Sequence, residues 1–190
     1  MHLLILALSF AASSTDSAAT AYVRNMAHAR FEVAKKIVSD PLLVRAIAVH
    51  NQSGETAADI KTKDARWMSD TSFPLRAQLT TNECAKRLTE LVAADSRIVE
   101  AFLMSNQGAL VCATKTTSDY WQGDEAKWQK TFGSGAEFFV DEPAQDASTG
   151  VFAVQFSVLV RDGGKNAGAL TLTMRFRGDE VGVASRDNAP

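Results

Sequence analysis

A chain of 190 residues, 46% hydrophobic and 22% charged, lies within the range of ordinary globular proteins and can bury the core of a single domain. Its 20 Lys and Arg against 22 Asp and Glu leave a formal charge of −2, and the basic residues are not clustered. That balance excludes the electrostatic footprint of a nucleic-acid binder.

The chain opens with an apolar run, Leu3 to Ala12, followed by small and polar residues to Ala18 and by Ala19-Thr20-Ala21. The last three have the small-x-small form of a signal-peptidase site. Residues 1–21 therefore read as a signal peptide cleaved after Ala21, which places the protein in the periplasm or outside the cell. The n-region is weak, offering only the α-amino group and His2, and the alternative is a buried N-terminal helix. Ten apolar residues are too few for a bilayer span, which needs about 20, so the mature protein is expected to be soluble.

From Tyr22 to Ser39 apolar residues at Val23, Met26, Ala27, Phe31, Ala34, Ile37 and Val38 predict one long amphipathic helix. Asp40-Pro41 supplies a cap and a first-turn proline for a second helix through Ile47. A more polar helix is expected over residues 55–69 and a loop over Thr71 to Gln78. Asn82 then caps a helix with Cys84, Leu88, Leu91 and Val92 on one face. Near Asp95 the period changes to two. Ile98 to Met104 and Ala109 to Lys115 form one hairpin; Val151 to Val160 and Ala167 to Phe176 form another, joined through Asp162 to Asn166. Between them residues 116–150 make a long connection with a short helix from Asp124 to Phe132 and a strand at Glu137 to Val140. Connections of that length are uncommon unless functional. The chain is thus α+β, with a five-stranded antiparallel sheet in one domain over residues 22–177 and a polar tail, 178–190, expected to fray.

Cys84 and Cys112 are the two cysteines. Placed on an apolar helix face and inside a strand, they read most plainly as inert core thiols, although an oxidising compartment would permit a bridge. No metal-ligand spacing accompanies them. His28 and His50 fall on the N-terminal helices, and no G-x-S-x-G, H-E-x-x-H, Walker or dinucleotide pattern is present. Acids at Asp119, Asp124 and Glu125, and at Asp141, Glu142 and Asp146, lack the spacing of a calcium loop and read as solvated loop residues. No catalytic residue, metal or cofactor is assigned, and the protein is expected not to be an enzyme. Tyr120, Trp121 and Trp128 gather within the long connection, where aromatic walls suit a small-molecule pocket or pin the cover onto the sheet.

Thr117-Ser118-Asp119-Tyr120, Gly123-Asp124-Glu125 before a helix, Asn106-Gln107-Gly108 in the first hairpin, and Asp162-Gly163-Gly164-Lys165 in the last follow an order that resembles the Cache domains. These are the PAS-like extracytoplasmic sensor modules, also called PDC domains, of chemoreceptors and sensor kinases. The resemblance spans residues 22–176. It implies a PAS-like five-stranded antiparallel sheet with the long N-terminal helix packed on one face and a pocket on the other. In that pocket Tyr120, Trp121 and Trp128 would be walls, Ser118 and Ser157 hydrogen-bond donors, and Asp146 a partner for a ligand amine or hydroxyl. The arginine that follows the tyrosine in the amino-acid-binding subgroup is missing after Tyr120. A carboxylate ligand would need a cation from Arg66, Arg76, Lys115 or Lys127. The resemblance also implies pairing of two copies through the long helix.

The expectation is an extracytoplasmic sensor module that binds a small metabolite, a carboxylate or related compound, and reports to a separate membrane signalling partner. The alternatives are a periplasmic protein–protein interaction module whose pocket is filled by side chains, and an enzyme using acids near Asp119 and Asp146.

Overall fold

A computed structural model of the chain describes residues 14–145 and 150–187. Its first half is helical. The N-terminal helix is two segments, α1 (Ser14–His28) and α2 (Phe31–Val38). At Arg30 the N–H bonds the Ala27 carbonyl at 3.0 Å, a closure one residue tighter than the α-helical one. The Arg30 guanidinium donates to Asp95 Oδ2 at 2.9 Å, so the break carries a cation to the turn before the sheet. Val23, Ala27, Ala34 and Ile37 keep one buried stripe along both segments.

In α3 (Pro41–Asn51) Asp40 Oδ1 accepts the Leu42 and Leu43 N–H groups at 3.0 and 3.4 Å, the cap expected from Asp40-Pro41. Thr56 and Asp59 form a reciprocal capping box at the start of α4 (Ala57–Ser69). The segment expected as a loop over Thr71 to Gln78 instead enters α5 (Pro74–Thr81). Pro74 occupies the first-turn position that tolerates a missing N–H, and burial of Leu79 rewards the turn. Asn82 Oδ1 accepts the Ala85 N–H at 2.8 Å and opens α6 (Glu83–Val92).

Six antiparallel strands follow among the described residues: β1 (Ile98–Met104), β2 (Leu110–Ala113), β3 (Phe138–Val140), β4 (Ala144–Gln145), β5 (Phe152–Asp162) and β6 (Lys165–Phe176). Five of them run in the order β2-β1-β6-β5-β3, and the two-residue β4 pairs with β5 beyond β3. The last hairpin is tighter than expected. Asp162 faces Lys165 across Gly163-Gly164, whose φ values of 54° and 81° suit a two-residue turn that glycine adopts freely.

Strand alternation divides the sheet. Leu103, Val154, Phe156, Val158, Leu170, Leu172 and Met174 face α1, α2, α3 and α6 in the larger core. Phe102, Met104 and Ala169 turn the other way, into a second core with Trp67 and Tyr120. Over that second face lies a cover made of α7 (Ala126–Trp128) and a π-helical turn, Gln129–Gly133, packed on β5 and β6. This is the α+β, PAS-like arrangement that the sequence suggests.

Two local expectations need restating. Cys84 of α6 and Cys112 of β2 are joined as a disulfide, not held as separate thiols, because helix and edge strand bring their Cα atoms to 5.8 Å. The described part of the 178–190 segment is helical, α8 (Gly178–Asp187), and rests on α1 with Val181 buried. Helix α1 runs unbroken through Ala21, and Ala19 is buried in the larger core; the apolar run over residues 3–12 lies outside the described residues.

Candidate functional site

The face of the sheet beneath the cover carries polar residues where alternation leads to apolar ones elsewhere. Ser157 pairs with Thr171 across β5 and β6, Gln155 pairs with Thr173, and Thr173 with Glu100 of β1. All five therefore project from one face. Ser157 and Thr171 are fully buried and share a 2.8 Å hydrogen bond. Gln155 Nε2 donates to Thr173 Oγ1 at 3.3 Å, and Thr173 Oγ1 donates to Glu100 Oε2 at 3.0 Å. A polar chain thus crosses three strands.

Lys127 closes that chain from above. Placed in α7 and only 7% exposed, its ammonium donates to Gln155 Oε1 at 3.3 Å and pairs with Glu125 Oε2 at 2.8 Å. It also stands 5.2 Å from the centroid of the Phe102 ring, a cation–π contact. Burying an ammonium is costly unless its charge and donors are met. Here they are met by one half-exposed carboxylate, one amide oxygen and one ring face. The π-helical turn behind Lys127 is held by Thr131, fully buried, whose hydroxyl donates to the Lys127 carbonyl at 2.6 Å. Turns of this kind concentrate at functional positions.

The residues singled out from the sequence are distributed as follows. Ser157 lies in the polar chain's face. Trp128 is in the cover, half-buried, stacked at 5.1 Å on Phe132, with its indole N–H donating to the Ser105 carbonyl at 3.0 Å. Trp121 is held at the rim by the Gln107 carbonyl at 2.8 Å. Tyr120 is 2% exposed, packed against Trp67 at 6.0 Å, and its hydroxyl sits 3.0 Å from both oxygens of Glu55. Ser118 is exposed and donates to Asp119 Oδ1 at 2.7 Å; Lys115 is exposed beside it in the chain. Neither reaches the polar face. Asp146 lies outside the described residues.

Of the other cations considered for a carboxylate, Arg66 stacks on Phe73 and pairs with Asp70 at 3.6 Å, while Arg76 donates to the Trp67 carbonyl at 2.5 Å. Both are spent on the α4–α5 corner. Lys127 alone of the four touches the polar face.

A second polar cluster underpins the aromatic segment. Asp64 Oδ1 accepts the backbone N–H groups of Tyr120 and Trp121 at 2.9 and 3.0 Å. Glu55, its side chain 5% exposed, takes the Tyr120 hydroxyl, the Lys63 ammonium and, at 3.5 Å, His50 Nε2. Burial first, then the Glu55 charge and hydrogen bond, push the Tyr120 phenol far above its usual value, so it stays protonated. Burial holds the His50 imidazole below its ordinary value, against the opposing pull of Glu55 and with help from Lys63.

Sequence reasoning passed over Gln155, Thr171, Thr173 and Glu100. Their signal was present as polar residues at every second place of otherwise apolar strands. Among the described residues no group of three or more His, Cys, Asp or Glu side chains gathers as a metal site, and no helix is long and apolar enough to cross a membrane.

No family model and no curated protein matches the chain in sequence. Solved structures do resemble it. The ligand-binding domain of the Pseudomonas aeruginosa amino-acid chemoreceptor PctC, in complex with GABA, is 15% identical with a TM-score of 0.45 over 92% of this chain and 62% of that one. The sensor domain of the V. cholerae histidine kinase DctB is 12% identical with a TM-score of 0.48 over 92% of this chain and 57% of that one. The sensory domain of the Campylobacter jejuni chemoreceptor Tlp3, with isoleucine bound, is 14% identical with a TM-score of 0.40, covering 96% and 69%. These three are ligand-binding or sensory domains of two chemoreceptors and a histidine kinase. The likeness is one of fold, and the chain spans less than two thirds of the PctC and DctB domains.

Proposed function

We propose that the chain is an extracytoplasmic sensor module that takes a small carboxylate between its cover and its sheet and reports to a separate partner protein. One observation carries this reading: a buried ammonium, Lys127, poised over a sheet face of hydroxyl and amide groups. Pockets for small polar ligands combine an apolar frame with a few converging polar groups. Here Phe102 and Trp128 supply the frame, and Lys127, Ser157, Gln155 and Thr173 the polar groups. The disulfide supports an oxidising compartment and hence the extracytoplasmic setting. No catalytic step enters the reading.

A second reading, a protein–protein interaction module whose pocket is filled by its own side chains, draws on a different observation. The indoles of Trp121 and Trp128 and the phenol of Tyr120 all donate to partners within the chain.

Thermal unfolding against a panel of mono- and dicarboxylates separates the two. A ligand at 100 times its dissociation constant adds about 2.7 kcal/mol to stability. The sensor reading expects such a rise with at least one carboxylate and its loss in Lys127→Met, which removes the charge at nearly constant side-chain volume. A panel with no rise, or a rise that Lys127→Met retains, rejects carboxylate recognition by this lysine and leaves the interaction module as the better account.

A further inference from the structure

On the helical side of the molecule, away from the cover, an open groove of about 890 Å³ runs between α3 and the α5–α6 corner. Leu42, Ala46, Val49, Leu79 and Val111 give it an apolar lining. Four large hydrophobic side chains are exposed among the described residues, and two of them, Leu42 at 36% and Val49 at 62%, stand on this one helix and line this one groove. Arg45 lines it from α3 and Glu83 from the first turn of α6. Both are exposed, and neither pairs with another charge among the described residues.

We propose that this groove is a self-association surface and that its occupant is α3 of a second copy of the chain. The spacing on α3 is self-complementary. A twofold axis between Arg45 and Ala46 sets two antiparallel α3 helices so that Leu42 of each copy meets Val49 of the other. Beside the axis Ala46 of each copy meets Arg45 of the other, and its small side chain leaves room for the helices to close together. The same operation carries the unpaired Arg45 of each copy across the groove towards the unpaired Glu83 of the other. A closed, twofold contact requires one patch that fits itself, and a groove carrying its own apolar ridge and one charge of each sign meets that requirement. Aliphatic contacts on either side of the axis and a pair of opposite charges beside it combine apolar burial with charge complementarity. This surface is distinct from the face beneath the cover, so the inference stands apart from the ligand reading.

Sedimentation velocity on the full chain, from micromolar to several hundred micromolar, tests it. The expected result is a concentration-dependent dimer. Val49→Asp, at an exposed site that leaves the core intact, should weaken it about 100-fold, as loss of a central contact does. Arg45→Glu and Glu83→Arg should each weaken it about 10-fold, and the double exchange should recover most of that loss. Recovery also guards against misfolding, since a damaged fold is not repaired by a second substitution. A chain that stays monomeric throughout overturns the proposal. So does a dimer unmoved by Val49→Asp, or a double exchange no tighter than the single ones; either result moves pairing to another surface, such as α1.

Discussion

His50, Glu55, Lys63 and Tyr120 meet where α3, α4 and the aromatic segment converge, and their charges are unevenly exposed. Because burial lowers the His50 pKa in the folded state, the unfolded chain binds more protons below about 6.5. Stability from the neutral imidazole is therefore complete above that value and declines as the pH falls through it. Urea unfolding as a function of pH should show His50→Gln with a flatter acid limb below about pH 6.5 than the parent chain. Equal slopes would remove the buried imidazole as the source. At this scale the sequence was partly legible. Tyr120, Trp121 and Trp128 stand out by their crowding, and Lys127 appears as one cation among four. Glu55 and Asp64 do not stand out, because they reach Tyr120 from 65 and 56 residues away. Only the folded chain shows that the aromatic donors are already engaged.

Elements were easier to read than residues, for a physical reason. Helix and strand periods repeat many times over Tyr22 to Ser39, Glu83 to Val92, Ile98 to Met104 and Phe152 to Phe176, so each is averaged over several side chains. The break at Arg30, the helix at Pro74–Thr81 and the π-helical turn are each too short for a repeating period to report. Gly168 makes a contact that no period reports either. A Cβ at this place in β6 would lie 2.0 Å from the Met104 carbonyl oxygen and 2.4 Å from Ile47 Cδ1, so only glycine lets β1 and α3 come so near. Gly168→Ala should cost about 1–3 kcal/mol by overpacking, read as a lower Tm and denaturation midpoint. A change within the scatter of surface substitutions would mean that β1 and α3 yield freely.

For the whole molecule, the α+β plan was legible from the change of period near Asp95, while the pairing of Cys84 with Cys112 required the helix and edge strand to be set side by side. Export remains a proposal, and it has a direct reading. Intact mass of protein recovered from an oxidising compartment should correspond to a chain beginning at Tyr22, which removes the first eight residues of α1, Ser14 to Ala21, and with them Ala19 from the core, while Val23 and Ala27 remain. A mass that retains residues 1–21 would count against the signal peptide. On the proposed carboxylate reading, the Lys127–Glu125 pair places a competitor inside the site. A carboxylate arriving from solution competes with one already tethered two residues away, whose effective concentration is about millimolar or higher. Under that reading, the dose for half-occupancy would be set jointly by the ligand's own grip and by how readily Glu125 swings out to water. A tethered competitor of this kind shifts the working range to higher concentrations without altering a single residue of the sheet.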